Sequence, residues 1–153
     1  MPVIHKNPKF WKEYADRLKK MKGVKLYVGY PADDSGVANP HYENGESIID
    51  VAIANNYGLG VPQRPFFEEA REPIQRMFES ALKSRLPDIN SGKADYKKLL
   101  DVIGVKAEHE VRRSIRDGNW TPNSPATIER KGSDRPLIDT GAMIQNVTHI
   151  VKE

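Results

Sequence analysis

Two long segments with apolar residues at helical spacing constrain the fold of this 153-residue chain more than any other feature. The first begins at Pro65 and the second ends at Asp117. Their apolar residues recur every three or four positions, which is typical of helices that bury one face. These residues are Phe67, Ala70, Ile74, Met77, Ala81 and Leu82, and then Tyr96, Leu100, Ile103, Ala107, Val111 and Ile115. We expect the two helices to pair antiparallel or to cover a sheet.

Proline and glycine predict where these two helices are interrupted. Pro73 removes an amide inside the first helix and clashes one turn back, so the helix is expected to bend or break there. Residues 86 to 92 contain Pro87 and Gly92, which is typical of a hinge-like connection. Gly118 ends the second helix. The two helices are thus predicted at about 65–86 and 95–117.

A third amphipathic helix is predicted near the N-terminus. Asn7 suits a cap, Pro8 suits the first helical position, and the pattern continues to Gly23. One face of this helix is basic, and the other is an apolar stripe of Phe10, Trp11, Tyr14, Leu18 and Met21. We expect the stripe to pack on the domain or on a neighbouring protein. Stacking of its rings on nucleic-acid bases is the alternative.

A shorter helix is predicted after residue 46. Ser47 and Asp50 fit a capping box, and Gly58 fits a left-handed C-terminal stop. The helical spacing predicts that the buried residues are Ile49, Ile53 and Tyr57. The β-branched residues of the same segment also suit a strand.

The C-terminal part combines short helices with a strand. Ser124 and Pro125 begin one helix, and Thr140 caps another of one or two turns. Residues 147–151 alternate as a strand and are a natural partner for the similar pattern at residues 24–29. We therefore predict a single domain over residues 1–153 with an α+β fold, in which these two strands form a small antiparallel sheet packed by several helices.

Charge is distributed unevenly, although the net charge is only +3. Residues 1–25 contain eight Lys or Arg and two acidic residues, whereas residues 33–50 contain five acidic residues and no Lys or Arg. The basic stretch could attract nucleic acid, or it could join one copy to the acidic stretch of another copy. Two solvated surfaces without a binding role are a further interpretation. Residues 31–46 are predicted to be a mobile loop that becomes ordered on assembly.

Residues suited to catalysis or metal binding are sparse. The absence of cysteine excludes disulfides and thiolate zinc sites. His109 has no second histidine four residues away, and Asp139 belongs to one Asp-Thr-Gly turn, whereas aspartic proteases need two facing carboxylates. A loop metal site at His41, Glu43 and Glu46 is disfavoured because acidic loops usually stay solvated. We predict a protein that is not an enzyme and has no cofactor or metal.

Arg64 is the most distinctive charged residue. It lies between Pro62 and Pro65, which hold its backbone extended and present the guanidinium from a stiff segment. Such a guanidinium can pair with a carboxylate of a neighbouring subunit or with a phosphate. The alternative is an internal pair with Asp139 or with a helix C-terminus.

Several motifs occur in an order that resembles a known family. They are Ala54-Asn55-Asn56-Tyr57-Gly58, Val61-Pro62-Gln63-Arg64-Pro65-Phe66, Trp120-Thr121-Pro122-Asn123-Ser124-Pro125-Ala126-Thr127-Ile128, Lys131-Gly132 and Pro136-Leu137-Ile138-Asp139-Thr140-Gly141. The positions that carry the motifs are Gly58, Pro62, Arg64, Pro65, Phe66, Ser124, Pro125, Asp139, Thr140 and Gly141. From about Val24 to Val151 the chain resembles the neck and tail-completion proteins of tailed bacteriophages, often called virion morphogenesis proteins or minor tail components.

The resemblance implies a structural protein of a tailed phage or prophage with an α+β fold. Its expected place is the neck or the head-proximal end of the tail, where it would act in tail completion or head-tail joining after assembly in the host cytoplasm. Copies are expected to form a ring of about six subunits and to contact neighbouring tail or connector proteins. DNA is expected to pass through the ring without specific binding, and no membrane contact is expected.

A ring of this kind needs two different surfaces on each subunit. The candidate interface residues are Lys12, Arg17, Lys19, Lys20, Asp33, Asp34, Glu43, Glu46 and Arg64. The alternative function is a small nucleic-acid-binding module that uses the Lys-rich N-terminal helix.

Overall fold

The computed structural model describes residues 7–30 and 41–153. Within these ranges the chain forms helices and one two-stranded antiparallel sheet, so the predicted α+β class is confirmed. The elements are α1 (Pro8–Gly23), β1 (Lys25–Gly29), α2 (Ile48–Tyr57), α3 (Phe66–Asn90), α4 (Tyr96–Asp117), α5 (Pro125–Lys131), α6 (Ala142–Gln145) and β2 (Thr148–Lys152).

Side-chain caps fix the starts of most helices. Asn7 caps α1, and its Oδ1 accepts the amide of Lys9 at 3.2 Å. Ser47 and Ser124 cap α2 and α5 as predicted, since their hydroxyls accept amides of the first turn at 3.3 Å. The prediction for Thr140 is only half right. Gly141 occupies the cap position of α6, while the Thr140 hydroxyl accepts the Ala142 amide at 3.3 Å.

Helix α3 does not break at Pro73, so that part of the prediction is wrong. Glu69, whose carbonyl loses its donor to the proline, is exposed, and water can satisfy the carbonyl there. The helix also continues past Pro87 to Asn90, four residues beyond the predicted end. Ile89, which is buried, holds this last turn against the body. The predicted hinge is therefore shorter than expected.

Helices α3 and α4 form an antiparallel hairpin that is the frame of the fold. The Ser114 hydroxyl near the end of α4 donates to Glu69 near the start of α3 at 2.6 Å. The sheet packs against α4, and β1 pairs with β2 in the register Leu26 to Val151. The predicted pairing of the two terminal strands is confirmed.

The main core lies at one end of this hairpin. It joins α2 and the start of α3 to the end of α4 and to the segments that follow α4. Its buried members are Ile48, Ala52, Phe66, Ala70, Val111, Ile115, Leu137, Met143 and Val147. With 25 residues, α3 is about 37 Å long. The α3–α4 connection is therefore far from this core.

The buried face of α2 differs from the prediction. Ile48, Ala52 and Asn56 are buried, whereas Ile53 and Tyr57 are 43% and 61% exposed. Asn56 explains the difference because its Oδ1 accepts the Phe67 amide, at the start of α3, at 3.2 Å. Ile53 and Tyr57 therefore face solvent, whereas Ile49 is half-buried.

Candidate assembly surfaces

Arg64 joins two sequence motifs that are nearly 60 residues apart. Its Nε donates to the Thr121 carbonyl at 2.9 Å, and its Nη2 donates to the Pro122 carbonyl at 3.3 Å and to Asn123 Oδ1 at 3.0 Å. Its Nη1 donates to Asn55 Oδ1 at 2.6 Å. The residue is only 4% exposed, and burial lowers the pKa of its guanidinium. Arg64 thus connects the end of α2 to the segment before α5.

This geometry corrects both sequence-based interpretations of Arg64. The side chain is enclosed within its own chain and its donors are used there, so the structure does not support the interface prediction at this position. The alternative, in which Arg64 is paired within its own chain, is correct. Its predicted partner Asp139 is not. Asp139 lies instead 3.9 Å from Lys131, and the acceptors around Arg64 are neutral amide oxygens.

The hydrogen-bond network around Arg64 extends through the neighbouring amides. The Arg64 backbone amide donates to the Asn55 carbonyl at 2.7 Å. Asn123 Nδ2 donates to the Arg135 carbonyl at 3.3 Å, which ties in the segment that leads to Leu137. Gln63 Nε2 donates to the Asn56 carbonyl at 3.3 Å. These bonds make one rigid unit of the three motif segments.

Helix α1 contains no buried residue, and its lysines form a basic surface on a face away from its apolar residues. Lys12, Lys19 and Lys20 are exposed, as an interface role requires. Arg17 differs, because its Nη2 donates to the Asn90 carbonyl at 2.8 Å and fastens α1 to the end of α3. We call the exposed apolar residues of this helix, Phe10, Trp11 and Leu18, the α1 stripe. They are 43%, 53% and 42% exposed.

An acidic surface lies at the opposite end of the hairpin. The Tyr42 amide donates to the Glu46 carbonyl at 2.9 Å, which closes a tight turn that exposes Glu43 and Glu46. Asp33 and Asp34 lie outside the described residues. We call the following exposed residues the end patch: Glu43, Glu46, Asp50, Ile53, Tyr57, Leu59 and Val61.

A groove of about 900 Å³ lies between α1 and the α3–α4 connection. Apolar side chains, among them Met21 and Ile89, line part of its wall. Its basic lining residues are Arg17, Lys20, Arg85, Lys93, Lys97 and Lys98. Asp95 and Glu153 are its acidic lining residues, and Glu153 is paired with Lys97 at 3.2 Å. The groove therefore presents excess positive charge.

A histidine cluster between β2 and α4 was not found by sequence reasoning. His149 Nδ1 lies 2.5 Å from Glu108 Oε1, and its Nε2 lies 3.0 Å from Asp101 Oδ1. Arg112 pairs with the other oxygen of Glu108 at 2.9 Å. Burial lowers the pKa of His149, but the hydrogen bonds to the two carboxylates outweigh it and raise the pKa above the ordinary value. A Cβ on Gly104 would lie 2.2 Å from this ring, so the glycine admits the histidine.

The one sequence signal for this cluster is the spacing of Asp101, Gly104 and Glu108 along one face of a helix. His149 stands more than 40 residues away, so only the strand pairing brings it there. The cluster joins the sheet to α4. Its ring nitrogens each face one carboxylate, which is a hydrogen-bonding arrangement.

Metal binding finds no support in the part of the chain that the structure describes. No group of three His, Asp or Glu side chains there is arranged to hold a metal ion, and this includes His41, Glu43 and Glu46. Across residues 7–30 and 41–153, no helix is long and apolar enough to cross a membrane.

Comparison with known protein families, with characterised proteins and with solved structures gives no match. The resemblance drawn from the sequence motifs therefore stays a prediction.

Proposed function

We propose that this protein is a structural subunit for the assembly of a tailed phage or prophage virion, and that it works as a ring in the neck or at the head-proximal end of the tail. The observation that carries the proposal is the presence of two unlike exposed surfaces on one subunit. Helix α1 exposes Lys12, Lys19 and Lys20 on a face away from the α1 stripe, and the end patch combines apolar and acidic residues.

Unlike surfaces favour head-to-tail association. A basic patch repels its own copy, so a two-fold contact centred on the basic surface of α1 is unfavourable. A basic surface and an acidic surface at different places on the subunit attract each other between copies. Repetition of that contact closes a ring when the rotation between subunits permits, and otherwise gives a filament.

The phage assignment rests on the motif resemblance, and the Arg64 network gives those motifs a physical purpose. The proposed role needs a rigid subunit, and Arg64 makes one unit of the segments in which the motifs occur. A ring subunit needs no catalytic residue. Its partners are further copies of itself and the tail or connector proteins above and below the ring.

Negative-stain electron microscopy of the concentrated protein tests this proposal. Closed annular particles with one uniform subunit number and a central opening are the expected result. Open filaments, or particles without a lumen, would contradict a ring role. Binding of the particles to purified tail ends or portal complexes then separates a neck role from a tail role.

The basic groove favours nucleic-acid binding as the second candidate function. Six basic side chains line it, and α1 adds exposed lysines nearby. This function predicts duplex affinity that falls with salt by about one logarithmic unit per logarithmic unit of salt for each phosphate neutralised. Weak binding of DNA without sequence preference at physiological salt would argue against a nucleic-acid-binding function. It would agree with passage of DNA through a ring.

A further inference from the structure

The groove between α1 and the α3–α4 connection has one face of α1 as a wall. Its α1 residues are three or four positions apart and therefore share a helix face: Arg17, Lys20, Met21 and Val24. Residues of the first two turns of α4, up to Val102, form another wall. The volume of about 900 Å³ is at the upper end of the range for ligand pockets. Along α1 the groove is about 10 Å long, which corresponds to two turns of a helix.

Most of the positive charge in this groove is not compensated. Of its six basic side chains, two are paired with carboxylates. Arg17 donates to a neutral group, the Asn90 carbonyl. The remaining three, Lys20, Lys93 and Lys98, form no ion pair with a residue that the structure describes. Unpaired cations on a concave surface attract anionic groups, so the groove favours a ligand with negative charge.

The two acidic residues of the groove are engaged by the protein itself. Asp95 caps α4, and its Oδ1 accepts the amides of Lys97 and Lys98 at 2.7 Å and 3.4 Å. Glu153 is paired with Lys97. Neither carboxylate forms an ion pair with the three unpaired lysines, which leaves their ammonium groups available to an anionic ligand.

The apolar wall indicates which kind of anionic ligand fits. Its apolar and aromatic side chains are Met21, Val24, Ile89, Tyr96, Leu99 and Val102. The phosphate backbone, which dominates affinity for duplex DNA, has no apolar group to place against such a wall. A protein segment can carry acidic and apolar side chains together, and protein interfaces combine an apolar centre with a polar rim. An acidic peptide with apolar residues at helical spacing therefore matches the groove better than DNA does.

We propose that this groove binds an acidic amphipathic segment of a partner protein. Apolar side chains of the segment pack on the wall around Val102, and its carboxylates pair with Lys93 and Lys98. The length of two helical turns agrees with recognition of a helix in a groove. The inference rests on the proposed function only for the identity of the partner, which is then a neighbouring tail or connector protein.

Selection from a peptide library tests the chemistry of the ligand. Random peptides about three helical turns long are displayed on cells and selected for binding to the natural protein. The selected sequences should combine several Asp or Glu with apolar residues at helical spacing. A synthetic peptide with the strongest of these sequences is then titrated with the protein, and binding is followed by fluorescence anisotropy. The lack of any binder, or binders without acidic residues, would overturn the proposal.

Charge reversal in the groove tests where the peptide binds. Lys93→Glu with Lys98→Glu should raise the dissociation constant of the peptide about 10-fold or more, because attraction to its carboxylates becomes repulsion. The matched control is Lys83→Glu with Lys106→Glu, which changes the net charge equally at two exposed lysines outside the groove. The control should bind the peptide like the natural protein. Equal weakening by both pairs would show attraction to the overall charge and would overturn the proposed site.

Two valines of α4 give a matched test of the apolar wall. Val102 and Val105 are 55% and 56% exposed, but only Val102 lines the groove. Val102→Gln should weaken peptide binding about 5-fold or more because an apolar contact is lost, and Val105→Gln should leave binding unchanged. Far-ultraviolet circular dichroism checks that each variant is folded. A peptide that responds equally to both substitutions does not use this wall.

Duplex DNA is the competing ligand, and the same variants identify it. If DNA occupies the groove, Lys93→Glu with Lys98→Glu weakens its binding, Val102→Gln does not, and no selected peptide competes with it. That result would overturn the inference and favour the nucleic-acid function. Electron microscopy of the same protein separates the inference from the proposed ring. Peptide binding in the groove without annular particles supports the groove and contradicts the ring, and annular particles without peptide binding do the reverse.

Discussion

Replacement of Arg64 by alanine should destabilise the subunit more than any other single change of a charged residue that we consider. The substitution leaves four acceptors without their donor. The carbonyls of Thr121 and Pro122 belong to exposed residues, and water can replace the guanidinium there at little cost. Asn55 Oδ1 and Asn123 Oδ1 are less accessible, because Asn55 is half-buried and Asn123 is only 9% exposed.

The expected magnitude follows from these two acceptors. Each buried acceptor left unsatisfied costs about 1–3 kcal/mol, so we expect a loss of about 4 kcal/mol in the free energy of unfolding. For a chain of this length that loss lowers Tm by about 8–16 °C. Arg64→Lys should lose about half as much, since one ammonium cannot reach the acceptors that the planar guanidinium joins.

Urea unfolding followed by circular dichroism measures the change, with thermal melts as a second readout. Arg71→Ala is the matched control, because Arg71 is an exposed residue of α3 and its loss should cost less than about 0.5 kcal/mol. A loss below about 1 kcal/mol for Arg64→Ala would refute the reasoning. So would an Arg64→Ala protein of normal stability that fails to assemble, because that result would return Arg64 to the interface.

Three further changes test other parts of the structure. Gly104→Ala should lower the free energy of unfolding, measured in urea, by about 1–3 kcal/mol because the added methyl group collides with the imidazole of His149. The control is Gly23→Ala, which should cost nothing because its methyl group meets no atom within 4 Å. The pKa of His149 is raised in the folded state, so protonated His149 stabilises the fold. This contribution to the free energy of unfolding is complete below the unfolded pKa of about 6.5 and is lost as pH rises through the folded pKa. The free energy of unfolding of the natural protein should therefore exceed that of His149→Gln by more at pH 6 than at pH 9; an equal difference would contradict this. Ser47→Ala removes the cap of α2 and should cost about 1 kcal/mol by the same urea assay, and no change would show that the cap contributes nothing.

Local sequence signals predicted most elements because they act within a few residues. The caps at Asn7, Ser47 and Ser124 and the left-handed end of α2 at Gly58 follow from side-chain and backbone chemistry next to each helix end. The pairing of the terminal strands was predictable for a different reason. The chain offers two short alternating segments that each need a partner.

Which face of α2 is buried was not predictable from the sequence of that helix alone. Periodicity favours the stripe of Ile49, Ile53 and Tyr57, because those side chains are more apolar than Ala52 and Asn56. Asn56 is buried instead and bonds to the start of α3, where its Oδ1 accepts the Phe67 amide and its Nδ2 donates to Glu68. The violation of the apolar pattern leaves Ile53 and Tyr57 exposed.

The environment of Arg64 could be predicted only in part. Its position between two prolines indicates a stiff backbone, but the acceptors come from Asn55, Thr121, Pro122 and Asn123, and no local rule brings residues 121–123 to residue 64. The histidine cluster was missed for the same reason, because His149 reaches α4 only through the register of β2.

Absolute mass by light scattering after gel filtration, over a wide range of protein concentration, tests the central claim most directly. Head-to-tail assembly through the basic surface of α1 and the acidic end patch predicts one discrete oligomer, of about six subunits, that falls apart as concentration decreases and as salt screens the opposite charges. A mass of 17.3 kDa at every concentration would contradict the account.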